Sequence, residues 1–164
     1  MTHKKLDKDF KIGILGAGAM GRGIAQVSAL GGLSVMMVDG KDGVAEEAHG
    51  FIKKMLDRAV EKKRLGQTDA ANAMTLIGVS NDINSLKDCD LVIEAIIEDI
   101  DIKKKTFKQL EELCGPDTIL ASNTSALPVS VIGSDCEHRS RIAGMHFFNP
   151  VPLMKLVEVI HTPF

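Results

Sequence analysis

The stretch Lys11–Gly23, KIGILGAGAMGRG, decides how the rest of the chain is read. KIGIL is a short apolar run with strand character, and Met20 to Leu30 reads as a helix. Between them Gly16, Gly18 and Gly21 stand in GxGxxG spacing. Alone that spacing is a weak signal, but between a strand and a helix it describes a phosphate-binding turn. Gly16 permits the tight turn, Gly18 the close approach of a pyrophosphate, and Gly21 the packing of helix on strand. The helix amino terminus then offers unpaired N–H groups and partial positive charge to the phosphates. The bland reading is a glycine-rich turn without a ligand.

The next apolar run, SVMMV, ends at Asp39, 18 residues after Gly21. An acid at that place accepts hydrogen bonds from both ribose hydroxyls of NAD and repels the 2′-phosphate of NADP. NAD is therefore the expected cofactor.

Outward from this unit, short apolar runs keep alternating with longer amphipathic segments. After KIGIL and SVMMV come LIGV, LVIEA, TILAS, IAGMH and LVEVI, with helical spacing over 18–30, 44–64, 102–114 and 127–132. Strands alternating with helices imply βαβ units. The expected fold is α/β and Rossmann-type: a doubly wound, mostly parallel sheet, helices on both faces, and a helical extension after strand two. In that extension Ile52, Met55, Leu56, Ala59 and Val60 form a buried face, while Lys54, Arg58 and Lys62 line another. Such a basic stripe is either a solvated surface or a seat for a polyanion. The helix near Ile102 is expected to bury Ile102, Phe107, Leu110 and Leu113 and to leave Lys103, Lys104, Lys108 and Glu112 outside. Gly115 and Pro116 end it.

Composition sets the outer limits. At 164 residues, 45% hydrophobic and 26% charged, the chain has the balance of one globular domain. A net charge of −2 argues against a nucleic-acid binder. No apolar run approaches the roughly 20 residues of a membrane helix, and MTHKKLDKDF lacks a signal peptide's apolar core, so the cytoplasm is the default location. Cys89, Cys114 and Cys136 form no CxxC pair and read as reduced, mostly buried thiols rather than a metal site.

In an open parallel sheet, ligands lie beyond the carboxyl ends of the strands. Gly16–Gly21, Asp39, Glu94 and Glu98, Ser122 to Ser125, and His146 all follow strands and fall on that one edge. The two prolines of FFNPVP end a strand and turn the chain back, so KLVEVI is expected to run beside IAGMH and bring Glu158 to His146. Alternation puts Leu156 and Glu158 on one face, Val157 and Val159 on the other, with Glu158 buried and paired. A histidine held by a carboxylate has a fixed tautomer and is suited to take a proton from an alcohol. The alternative is a histidine that merely hydrogen-bonds within the core.

Four segments, GAGAMGRGIAQ, DLVIEAIIED, ILASNTSALP and GMHFFNPVPLMKLVEVI, resemble the NAD-binding domain of L-3-hydroxyacyl-CoA dehydrogenases, including the 3-hydroxybutyryl-CoA type, from Lys11 to Pro163. The resemblance implies His146 as catalytic base, Glu158 as its partner, and Ser125 and Asn149 around the nicotinamide and the reacting oxygen. It implies a cofactor set of Gly16, Gly18, Ala19, Met20, Gly21, Asp39, Ala95, Glu98, Lys103, Ser125 and Asn149. Lys62 and Ser125 would meet CoA, and family members carry serine where this chain has Met55. It further implies an acyl-CoA substrate and a helical substrate and dimerisation domain following residues 1–164, through which the full-length enzyme is a homodimer. A nucleotide-binding module without turnover of its own, and a dehydrogenase of small hydroxy acids, are the competing readings.

Overall fold

The structure is a computed structural model and describes residues 9–163. The expectation for the amino-terminal decapeptide rests chiefly on residues 1–8, which lie outside the described residues. The strands are β1 Lys11–Leu15, β2 Ser34–Val38, β3 Ile77–Ser80, β4 Leu91–Glu94, β5 Ile119–Ser122, β6 Ile142–Phe147 and β7 Val157–His161. The helices are α1 Ala19–Leu30, α2 Val44–Glu61, α3 Gln67–Thr75, α4 Ile100–Leu113 and α5 Val129–Ile132. One seven-stranded sheet runs in the order β3-β2-β1-β4-β5-β6-β7. The first six strands are parallel and β7 is antiparallel to β6. The order reverses between β1 and β4, which is where a doubly wound sheet opens a crevice for a ligand.

Strand residues alternate between two cores, as a period of two on a sheet covered on both faces requires. Ile12, Ile14, Val35, Met37, Ile93 and Ala121 enter the core shared with α1, α2 and α3. Leu15, Val38, Val92 and Leu120 enter the core beneath α4 and α5. The three cysteines are buried, Cys89, Cys114 and Cys136 all joining the second core. Burial pushes the Cys89 thiol up to about 12 and the Cys136 thiol up to about 11, so both stay protonated and inert. Among the described residues no helix is long and apolar enough to cross a membrane.

Three local expectations are corrected. Helix α3 was not expected from the sequence, because its buried positions are the small Ala70 and Ala73 and its apolar face is correspondingly faint. Helix α4 is rotated from the expected phase. Asp99 caps it by accepting from the Asp101 and Ile102 N–H groups, Lys103 faces inward at 1% exposure, and Ile102 is 42% exposed. The inward face is Lys103, Phe107, Leu110, Glu111 and Cys114, a helical stripe in which a lysine stands because a carboxylate lies beneath it. Finally, β7 is an edge strand exposed along its whole length, so Glu158 is half-exposed rather than buried. The register is as expected: His146 lies directly opposite Glu158.

The crossing of α1 over β1 depends on missing side chains. Gly16 has φ of 103°, and a Cβ there would stand 2.6 Å from the Ala95 carbonyl oxygen. A Cβ on Gly21 would stand 1.8 Å from the Gly16 carbonyl oxygen, whereas one on Gly18 would meet nothing within 4 Å. Gly21→Ala should therefore lower the unfolding free energy by more than about 3 kcal/mol, beyond ordinary overpacking, because the obstructing atom is backbone. Gly18→Ala should cost under about 1 kcal/mol, the scale of a helix-cap change. Urea unfolding of both variants checks this, and equal losses would contradict the packing.

Candidate cofactor and catalytic site

The carboxyl ends of β1, β4, β5 and β6 meet around a cleft of about 320 Å³. Its lining comprises Met20, Ala95, Ile96, Glu98 and Lys103 from α1, the loop after β4 and α4, with Asn123, Ser125, His146, Phe147, Phe148 and Asn149 from the segments after β5 and at the end of β6. Of the residues expected from the sequence, Met20, Ala95, Glu98, Lys103, Ser125, His146 and Asn149 thus converge.

Gly16, Gly18, Ala19 and Gly21 lie beside the cleft in the turn from β1 into α1. Gly18 is the N-cap, no side chain caps the helix, and its first turn holds no acid. The open space beyond Gly18 and the uncapped N–H groups together suit an anionic phosphate. Asp39 is tied to this turn: its Oδ2 accepts from the Ala17 N–H at 2.9 Å and its Oδ1 from the Lys41 N–H at 3.1 Å. A carboxylate has about four acceptor sites, so it retains capacity for ribose hydroxyls. The donor set therefore fits a dinucleotide, with phosphates at the helix terminus and the adenosine ribose toward Asp39.

His146, also lining the cleft, is bonded through Nδ1 to Glu158 Oε2 at 2.9 Å. His146 is 17% exposed and Glu158 54% exposed. The imidazole also packs against Phe148, with ring centroids 4.4 Å apart. Carboxylate and phenyl ring thus fix both the tautomer and the plane of the histidine, leaving Nε2 as its remaining acceptor. The Phe147 N–H donates to Asn123 Oδ1 at 2.9 Å, which ties the end of β6 to the loop after β5.

Beneath the cleft lies a polar cluster of which the sequence exposed only the parts. Glu94, wholly buried at the end of β4, accepts from Lys103 Nζ at 2.6 Å, Ser122 Oγ at 2.7 Å and the Ile96 N–H at 2.8 Å. Lys103 also reaches Glu98 Oε2 at 3.2 Å, and Thr124 donates its hydroxyl to Glu98. Burial raises the Glu98 carboxyl, but hydrogen bonds from Thr124, Lys103 and the Ser125 N–H, with the Lys103 charge, outweigh it and hold the group below the usual range. Asn123 and Thr124 stood in the sequence only as part of the run Ser122 to Ser125 on the ligand edge, without a role of their own, and Phe148 was not singled out. Their signal was their place after strand ends beside residues that were.

Lys62 is not brought into the cleft. It caps the carboxyl end of α2, exposed like Lys54 and Arg58. Arg22, in the first turn of α1, lies over the Phe51 ring at 3.7 Å from its centroid.

Residues 11–163 match the family model described as 3-hydroxyacyl-CoA dehydrogenase, NAD binding domain. The chain is 44% identical to a probable 3-hydroxyacyl-CoA dehydrogenase of Caenorhabditis elegans over 98% of this chain and 54% of that protein. It is 42% identical to the 3-hydroxybutyryl-CoA dehydrogenase of Clostridioides difficile, over 92% of this chain and 53% of that one. A crystal structure of (S)-3-hydroxybutyryl-CoA dehydrogenase from Ralstonia eutropha superposes with a TM-score of 0.90 at 42% identity, covering 93% of this chain and 54% of that one. The chain spans about half the length of the curated relatives it matches. With the family model matching residues 11–163 and these relatives over more than nine-tenths of its length, the chain belongs to the 3-hydroxyacyl-CoA dehydrogenase family, as its NAD-binding domain.

Proposed function

We propose that this chain is the cofactor half of an enzyme that oxidises L-3-hydroxyacyl-CoA to 3-ketoacyl-CoA, or reduces acetoacetyl-CoA in the reverse sense. The observation that carries the reading is that His146, which lines the cleft, is bonded at 2.9 Å to Glu158 of the neighbouring strand. NAD, when bound, supplies the acceptor for the hydride that leaves C3. The chain's own residues handle the proton. Glu158 accepts the Nδ1–H of His146, Nε2 takes the proton of the substrate hydroxyl, and the carboxylate offsets the charge of the imidazolium that results. Ser125 and Asn149, lining the same cleft, suit the reacting oxygen.

The rest of this reading concerns the whole protein. Lys62, with Lys54 and Arg58, offers a basic stripe for the phosphates of CoA. A helical domain beyond residue 164 completes the acyl pocket and forms a homodimer, and the enzyme works in the cytoplasm.

Two outcomes test the proposal. NADH should bind this chain at least about ten-fold more tightly than NADPH, the cost of setting a phosphate dianion against a carboxylate. Fluorescence titration checks it, and equal affinities would remove Asp39 from the ribose site. In the longer protein His146→Gln should lower kcat by on the order of 10²–10⁴, the range of a lost general base, with NADH affinity little changed. Turnover within a few-fold of wild type, followed by NADH absorbance, would assign the proton to another group.

A further inference from the structure

Resting on the NAD-dependent reading above and on Lys103 as the cofactor contact that the family resemblance implies, we infer that Glu94 is the positioning residue that holds it there. Lys103 is 1% exposed and still lines the cleft, so its ammonium sits at the floor of the site rather than on the surface. An ammonium has three donors and a compact, strongly hydrated charge, and burying it requires fixed acceptors. The Nζ has two: Glu94 Oε1 at 2.6 Å and Glu98 Oε2 at 3.2 Å.

The two acceptors are not equivalent. Glu98 stands in the loop after β4 and is 43% exposed. Glu94 is wholly buried at the end of β4, and besides Lys103 it is held by Ser122 of β5 and by the Ile96 N–H just after β4. Its Oε1 receives the Ile96 N–H at 2.8 Å beside the Lys103 bond, and its Oε2 receives the Ser122 hydroxyl at 2.7 Å. Ser122 is the residue directly opposite Glu94 in the β4–β5 pairing. The carboxylate is thus locked by strand register and points its charge at one place. Two of the three ammonium donors are spoken for by carboxylates, which leaves the third for an anionic or carbonyl-bearing ligand in the cleft that Lys103 lines. Glu94 itself touches no ligand; it sets where Lys103 stands and keeps the cleft floor charged.

The test is NADH titration of the 164-residue chain as wild type, Glu94→Gln, Lys103→Met and the double variant. Each single change should weaken NADH by about ten-fold, the scale of one charge-assisted hydrogen bond. The double variant should be no weaker than Lys103→Met, because Glu94 acts only through the lysine. Losses that multiply, or a folded Glu94→Gln with wild-type affinity, overturn the inference while leaving NADH binding by the wild type intact. A wild-type chain that fails to bind NADH overturns the cofactor reading itself. Should Glu94→Gln not fold, 15N-lysine NMR of the wild type decides instead. The Lys103 ammonium resonance, assigned by its loss in Lys103→Met, should shift on saturation with NADH, and a resonance that stays in place overturns the inference.

Discussion

The structure turns on a backbone contact that only hydrogen-sized side chains allow. The Gly16 carbonyl and Gly21 lie so close that a Cβ would stand 1.8 Å from the oxygen, and a Cβ on Gly16 would stand 2.6 Å from the Ala95 carbonyl oxygen. Because β1, α1 and the end of β4 meet at this point, helix α1 starts directly over the sheet edge with its first N–H groups uncapped. Asp39 closes the arrangement from β2 by accepting the Ala17 N–H. The glycine turn, the place of Asp39 beside it and the cleft wall are consequences of one close crossing.

The second feature is how charge is handled at the carboxyl ends of the strands. An anionic ligand approaches an edge that already carries Asp39, Glu94 and Glu98. In the proposed site that repulsion is offset by donors held in place: the uncapped helix terminus and the Lys103 ammonium paired with Glu94. Removing one partner of a buried pair such as Glu94–Lys103 typically costs about 3–5 kcal/mol. The pair is therefore held together by folding as well as by any ligand. Glu158 serves His146 from an exposed edge strand, where solvent screens the charge but strand register fixes the distance.

The parts legible in the sequence were those governed by short periods and fixed spacings. GxGxxG between strand and helix located the turn, and alternation of apolar runs with helical segments gave the sheet. The double proline of FFNPVP placed Glu158 opposite His146. What escaped depended on partners distant in sequence. The helical period assigned Lys103 to solvent, although the family resemblance implied a cofactor contact, because a lysine inside an apolar stripe is favourable only with a buried carboxylate beneath it, and Glu94 enters from a strand. Helix α3 offered only alanines to its core, and the exposure of β7 follows from its place at the sheet edge, which no local pattern records.

The central claim, that cofactor and His146 share one cleft on one sheet edge, is open to direct mapping. Backbone amide NMR of the uniformly labelled chain, titrated with NADH, should move the resonances of residues 16–22, 39–41, 94–98, 122–126 and 146–149 together and with one affinity. Shifts confined to the glycine turn, or centred on the distant surface at Cys136–Ser140, would contradict it.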